Sequence, residues 1–422
     1  MAAPALLPPS ASTRRYSARQ DALVSAASTL FNVRGVAGTS LAEVAASVGL
    51  AKNSITYYYK RKEELVVACF ERALRSLCEQ VDQAAAEPTV AARVRRLVCG
   101  QAACEMRELQ GQRPPTVQLQ ELRALPEPHR TEVFTRYLDM YRRVRALLRS
   151  PETDRWSHDD LNARAHLLVS YVLSIKGLAS RYQAESFDGV AAGLADIVLH
   201  GIHAPSSRWL SRGVEAQWQG LAPDRDHPAE QFLRVATELI NECGYGGASV
   251  NRIAEKLHVT KGAFYYYNEN KGDLASQCFD RFIQTIRRYV NLAEQHGGPA
   301  WEQLGAVVRG LVCFQLSPDG PLLRSFVYSA IPEPQERMRM MEEYGRLTER
   351  LAGMAVNGML DGSVRVHPPT LAARALLYGV FAAAELRLWV GGAGEGNVAD
   401  LLARPMLQGL LCEARGAQPV SG

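Results

Sequence analysis

The chain contains the same pattern twice. The segment that starts at Ala27, ASTLFNVRGVAGTSLAEVAASVGLAKNSITYYYKRKEEL, aligns without a gap on ATELINECGYGGASVNRIAEKLHVTKGAFYYYNENKGDL, which starts at Ala236, a displacement of 209 residues. Leu30 meets Leu239, Gly35 meets Gly244, Ser40 meets Ser249 and Tyr57 meets Tyr266, and the register still holds where Cys69-Phe70 meets Cys278-Phe279. Further on, Ala124-Leu125-Pro126-Glu127-Pro128 matches Ala330-Ile331-Pro332-Glu333-Pro334 at a displacement of 206. A repeat of roughly 200 residues is a fused domain pair, since solenoid repeats are several-fold shorter. Residues 204–228, APSSRWLSRGVEAQWQGLAPDRDHP, separate the copies with Pro, Ser, Gly and charge, the composition of a junction. The expected division is a head at 1–65, a helical domain at 66–210, a linker at 211–227, a second head at 228–275 and a second helical domain at 276–422.

Helical spacing runs through both copies. Leu23, Ala27, Leu30 and Phe31 fall on one helix face, as do Phe232, Ala236, Leu239 and Ile240, and Gly35 and Gly244 close these helices. Leu41, Val44, Ala45 and Val48, matched by Val250, Ile253, Ala254 and Leu257, give a short second helix. Ser40 with Glu43 forms a capping box at its start; in the second copy Ser249 faces Arg252, so only the single cap is expected. Gly49 then suits a turn with positive φ, where the second copy has His258. A third short helix is expected through Ser54–Tyr58 and its counterpart, and a long fourth helix opens at Lys62 and Lys271. No run alternates like a strand, so the fold class is all-α.

These features resemble the TetR/AcrR family of transcriptional repressors. AKNSITYYYKRKEEL and TKGAFYYYNENKGDL are similar to that family's S-K-G-T-L-Y-Y-H-F-K-S-K-E-E-L. The resemblance implies two fused TetR-like units, each a three-helix helix-turn-helix head followed by a helical ligand-binding and dimerisation domain. It implies a ligand-responsive transcription regulator, a repressor released from its operator by a small apolar effector. Ala51, Asn53, Thr56 and Tyr59 depart from the motif in the first copy, and Asn268 and Gly272 in the second.

A recognition helix in the major groove needs short polar side chains on its first turn. Asn53, Ser54 and Thr56 fit in the first head; Thr260, Ala263 and Tyr265 fit in the second, with Gly262 allowing close approach. Long cations and hydroxyls fix register on phosphates. Lys52, Tyr57 and Lys62 are assigned this role in the first head, and Lys261, Tyr266 and Lys271 in the second; Ser40, Tyr58, Ser249 and Tyr267 complete the set of candidate DNA-binding residues. Arg14, Arg15 and Arg19 are expected to form a basic arm on the first head. The two heads differ, so unlike half-sites are expected rather than a symmetric palindrome. The net charge of only +4 means that nucleic acid must be met by such local patches.

In the helical domains, Arg107, His129, Tyr137, Tyr141 and His166 are candidate effector ligands of the first, with Trp156 nearby. Phe314, Arg324, Tyr328, Met338, Met341 and Tyr344 are candidates in the second, with Trp301. Each unit's last two helices are expected at 161–182 and 187–203, and at 370–390 and 398–413. They pair the units within one chain or join two chains, through Leu167, Leu168, Tyr171, Ile175, Leu376, Leu377, Phe381 and Ala384. Partners are thus a double-stranded DNA operator, a small-molecule effector and an intrachain or homodimeric mate.

No cofactor, metal or catalytic group is expected. His200 and His203 lack a third ligand, the glycines of 391–396 follow no strand, and neither GxSxG nor GxxxxGK[ST] occurs. The eight scattered cysteines contain no CxxC pair, and no run reaches the roughly 18 apolar residues of a span, which fits a cytoplasmic protein. The rival expectation is a ligand-binding or protein-interaction module with one or both DNA heads vestigial.

Overall fold

The computed structural model describes residues 11–413 apart from 37, 52, 120, 121, 123, 124, 210–217, 219–226, 268, 269, 325–330 and 332. The first unit comprises α1 (Ala11–Arg34), α2 (Leu41–Ser47), a 3₁₀ turn (Ile55–Tyr57), α3 (Lys62–Ala85), α4 (Val90–Leu109), α5 (His129–Leu147), α6 (His158–Ala179) and α7 (Phe187–His200). The second comprises α8 (Pro228–Gly247), α9 (Val250–Lys256), α10 (Lys261–Tyr267), α11 (Lys271–His296), α12 (Ala300–Leu316), α13 (Pro334–Leu360), α14 (Pro369–Ala383), a 3₁₀ turn (Leu386–Leu388), and a π turn (Ala399–Ala403) that runs into α15 (Arg404–Gln408). Among the described residues no strand forms; His203 and Val364 make one isolated bridge.

Each head closes on its own apolar face. Leu23, Ala27, Phe31, Val44, Ala45, Ile55 and Leu65 are buried together, as are Phe232, Ala236, Leu239, Ile240, Ile253, Phe264 and Leu274. Tyr59 is buried as well, and burial pushes its phenol up to about 12. The turn chemistry is local and repeats. Gly35 and Gly244 both take φ 71°, Gly49 takes 69° and His258 takes 56°. The Ser40–Glu43 box forms in both directions, whereas Ser249 only accepts from the Arg252 N–H.

Both heads are braced to the long helix behind them in the same way. Arg72 of α3 pairs with Asp21 of α1 at 3.0 Å, and Arg281 of α11 pairs with Glu230 of α8 at 2.5 Å. The Cys69 thiol reaches the Val24 carbonyl, and the Cys278 thiol reaches that of Leu233.

The units meet through α6 and α7 on one side and α14, the π turn and α15 on the other. The Ile202 N–H donates to the Leu407 carbonyl at 2.8 Å, and the Leu410 N–H donates to the Val198 carbonyl at 2.9 Å. Leu199-His200-Gly201-Ile202 matches Leu407-Gln408-Gly409-Leu410 at a displacement of 208. Ile202 thus corresponds to Leu410, and Leu407 to Leu199, the neighbour of Val198, so the two bonds cross the joint in opposite directions around an approximate local pseudo-twofold. Gly201 and Gly409 permit the crossing: a Cβ on Gly201 would lie 2.2 Å from the Leu407 carbonyl oxygen, and one on Gly409 would lie 2.2 Å from that of Leu199. Leu167, Leu168, Tyr171, Ile175, Leu376 and Leu377 are buried in this region; Phe381 and Ala384 are half-buried.

Three expectations about elements change. The first head has a single 3₁₀ turn where a third helix was expected. Ile55 and Thr56 are β-branched, and the Thr56 hydroxyl donates to the Asn53 carbonyl at 2.7 Å, diverting it from a helical ladder. The helix expected over 370–390 ends at Ala383, and the one expected over 398–413 begins as a π turn. Pro405 has no N–H to give to Leu401, so the ladder slips by one residue there. The junction is also packed at its start, since Ser207 bonds the Ser363 carbonyl and the Trp209 indole donates to Asp400 at 2.9 Å.

Candidate nucleic-acid interface

The first head presents Asn53, Ser54, Thr56 and Tyr57 on its surface around the 3₁₀ turn, with Tyr57 75% exposed. Tyr58 does not join them as a free contact. Its ring stacks on Tyr16 with centroids 5.0 Å apart, and both meet Tyr57 edge-on. Tyr16 lies on α1, which extends the head's first helix well ahead of the apolar face read from the sequence. Arg15 and Arg19 lie exposed on that extension, so this basic segment is helical rather than a trailing arm. The side chain of Arg14, and Lys52 entirely, lie outside the described residues.

Ser40 is exposed, and its hydroxyl is engaged in the capping box that starts α2. Lys62 sits half-buried at the start of α3, where burial lowers its pKa. Glu43 and Arg34 pair at 2.9 Å along the same edge.

In the second head the recognition element is a full helix, α10, with Thr260, Lys261, Gly262 and Tyr265 exposed. The side chains of Ala263, Tyr266 and Tyr267 lie outside the described residues. Lys271, expected to meet a phosphate, is engaged within its own head. Its ammonium lies 4.3 Å from the Tyr245 ring centre and donates to the Gly246 carbonyl, and burial lowers its pKa. Ser249 is half-buried and serves as a helix cap.

The heads are fastened to the helical domains by a contact that sequence reading missed. The Asn32 amide of α1 donates to the Thr116 carbonyl at 2.8 Å and accepts the Gln118 N–H at 2.9 Å. In the second unit the Asn241 amide of α8 donates to the Leu322 carbonyl at 2.9 Å and accepts the Arg324 N–H at 3.1 Å. The asparagines are 209 residues apart and their partners 206 apart, the two displacements of the repeat. The Asn pair was visible in the aligned segments; its partners were not.

Behind the clamps the units differ. In the first, Glu108 takes the Thr116 N–H and hydroxyl, and the Lys176 ammonium lies 2.7 Å from Glu108 and 2.9 Å from Glu105. Burial raises the Glu105 pKa despite that neighbour. In the second, the neutral Gln315 amide accepts the Leu322 N–H and donates to the Val380 carbonyl, while Arg324 pairs with Glu385.

The candidate effector ligands do not converge. Arg107, Met338 and Met341 lie on the surface, Arg107 bonding the Ala103 carbonyl of its own helix. An apolar helical pattern does not reveal which of its neighbours face out. Tyr137, Tyr141 and His166 meet the second unit instead: Tyr141 stacks on Trp389, Tyr137 lies beside it, and His166 bonds the Ala382 carbonyl at 2.8 Å. Phe314 packs edge-on against Tyr289, Tyr344 stacks on Phe282, and His129 is half-buried at the start of α5; Tyr328 lies outside the described residues. One cavity of about 370 Å³ lies between the ends of α7 and α15, lined by His200, His203, Arg404 and Cys412. Another of about 280 Å³ lies between α8 and α11, lined by Glu230, Asp280, Arg281 and Arg288. Neither is lined by the candidate ligands.

Among the described residues no group of three or more His, Cys, Asp or Glu is placed to hold a metal ion, and no helix is long and apolar enough to cross a membrane.

The profile described as "Bacterial regulatory proteins, tetR family" matches twice, at residues 23–69 and 232–278, one match per head. The Transposon Tn10 TetC protein of Escherichia coli is 34% identical over 74 residues, which span 16% of this chain and 38% of that relative. Among solved structures, apo AibR is 21% identical and covers 43% of this chain and 98% of its own, with a TM-score of 0.35. A TetR/AcrR-family transcriptional regulator from Thermobifida fusca is 22% identical and covers 43% of this chain and 97% of its own, with a TM-score of 0.31.

Proposed function

We propose that this chain, a tandem member of the tetR family of bacterial regulatory proteins, acts as a single-chain repressor that places two unlike heads on one asymmetric operator and is released by a small effector. The heads are assigned to 1–65 and 228–275, the helical domains to 66–210 and 276–422, and the linker to 211–227. The observation that supports this most is the two-way crossing of Ile202–Leu407 and Leu410–Val198, which makes one chain do what two identical chains do in an isologous dimer.

The heads differ in how they present themselves. The first offers a short turn with Asn53, Ser54, Thr56 and Tyr57 in the open, and the second a helix led by Thr260, Lys261 and Gly262. Recognition by base edges therefore differs between half-sites, while phosphate contacts set register on both. A second reading, in which the second head is vestigial, draws on the inward-turned Lys271 and on Glu269-Asn270, which stand where the first head has Lys60-Arg61.

Fluorescence anisotropy on duplexes from the gene's own upstream region, across a salt series and with light scattering for mass, tests this. Tyr57→Ala and Tyr265→Ala each weaken binding about tenfold or more, and the complex holds one chain per duplex. Loss from Tyr57→Ala alone selects the vestigial reading. Absence of salt-dependent, sequence-specific binding by the wild type overturns both.

A further inference from the structure

The two units carry the same arginine and satisfy it differently. Leu161-Asn162-Ala163-Arg164-Ala165 of α6 matches Leu371-Ala372-Ala373-Arg374-Ala375 of α14, and both arginines are buried, at 1% and 9% exposure. Arg164 lies 4.5 Å over the Trp156 ring and pairs with Asp160, one helical turn earlier, at 3.2 Å. It also donates to the carbonyls of Leu410, Cys412 and Glu413 at the end of the second unit. Arg374 has none of this. Thr370 stands where Asp160 stands, Val366 stands where Trp156 stands, and the Arg374 Nε and Nη1 are buried with no hydrogen-bond partner among the described residues.

A buried guanidinium without an anion is among the least favourable arrangements in a protein interior, and its sister shows what supplies the balance, a carboxylate. A second observation lies just ahead of the same helix. His367 is 7% exposed, and both its ring nitrogens are buried without a partner among the described residues. The first turn of α14 carries no acidic residue and no side-chain cap, so its N–H groups and dipole also favour negative charge. Arg365, the other cation nearby in sequence, is already paired with Asp196 at 2.6 Å and bonded to the Gly201 carbonyl.

We propose that the N-terminal end of α14 is a binding site for a small carboxylate-bearing molecule, with Arg374 as its charge partner and His367 as a hydrogen-bonding group. A guanidinium offers a carboxylate two parallel bonds along its Nε/Nη2 edge or its Nη1/Nη2 edge, so a metabolite acid would take one of the two unsatisfied nitrogens of Arg374 together with Nη2. Pro368 and Leu371, on the same end of α14, pack against Gly193 of α7. An occupant there therefore lies at the contact between units and is independent of the DNA reading.

The test is thermal unfolding of the full chain with sodium acetate as probe, titrated against chloride at constant ionic strength. Acetate raises the wild-type midpoint by about 2–4 °C more than it raises that of Arg374→Met. Thr370→Asp, which supplies the carboxylate from the chain, has a higher midpoint in chloride and no further response to acetate. A wild type that responds no more than Arg374→Met overturns the proposal. So does a Thr370→Asp variant that still responds like the wild type. A response to inorganic phosphate but not to acetate overturns the assignment to a carboxylate.

Discussion

The indole of Trp389 lies flat on the phenol ring of Tyr141, with centroids 3.7 Å apart and planes 20° from parallel. Tyr141 belongs to the first unit and Trp389 to the second. The Tyr141 hydroxyl donates to the Asn162 carbonyl, and the Asn162 amide donates to that of Trp389, so the stack is held at both edges. Trp389→Ala removes the stack and much of the half-buried indole, at a cost of about 2–4 kcal/mol. Chemical denaturation checks this: the variant unfolds at lower denaturant, and fluorescence and circular dichroism no longer coincide if the units then unfold separately.

The asparagine clamps predict a second loss. Asn32→Ala and Asn241→Ala each remove one donor and one acceptor from a backbone segment, at a cost of about 1–3 kcal/mol. Hydrogen exchange locates it. The Gln118 amide exchanges faster in Asn32→Ala, and the Arg324 amide faster in Asn241→Ala, each without an effect on the other unit. Asn32→Asp keeps the acceptor and is expected to protect Gln118 while still losing the bond to Thr116.

Lys176 balances two carboxylates whose side chains are each only 6% exposed. Lys176→Met leaves both without a cation and costs about 3–5 kcal/mol near neutral pH. The sign with pH follows from Glu105. Its folded pKa is raised by burial, so the folded state takes up a proton more readily than the unfolded chain and loses stability as pH rises through the folded value. The deficit of Lys176→Met relative to wild type therefore shrinks as pH falls from 7 toward 5. Paired urea titrations across that range check it, and a deficit that grows on acidification contradicts the assignment.

Gly409→Ala places a Cβ against the opposite backbone 2.2 Å away, at a φ of 89° that alanine adopts only with strain. The expected result is separation of the two C-terminal turns and a fall in unfolding midpoint of several degrees, about 2–4 °C for each kcal/mol lost. Gly49→Ala has a similar φ of 69° but meets nothing within 4 Å, so its smaller effect isolates the clash from the strain.

Both heads were legible because their determinants are local. A capping Ser, a Gly at a left-handed turn and an apolar face lie within a few residues of one another, and His258 at φ 56° shows that the backbone demand holds where the glycine does not. The recognition element of the first head was misread because motif similarity outweighed the weak helix propensity of Asn53, Ile55 and Thr56. The contacts of the interface aromatics were hidden for a different reason. Periodicity shows that Tyr141 and His166 face inward, but the ring they meet is more than 200 residues away in the chain, and no local pattern says whether a neighbour is a ligand or another helix. The Asn32 contact spans 84 residues and is hidden for the same reason.

The crossing of Gly201 with Gly409 also bears on how this molecule can change. In a dimer of identical chains every substitution at the axis appears on both sides, so only self-compatible residues survive there. Once the two halves are one polypeptide, each side of the axis drifts alone. Asp160 can persist while its counterpart becomes Thr370, and a charged anchor at Glu108 and Lys176 can face a neutral one at Gln315. Covalent fusion thereby turns a symmetric joint into two different sites encoded by one gene.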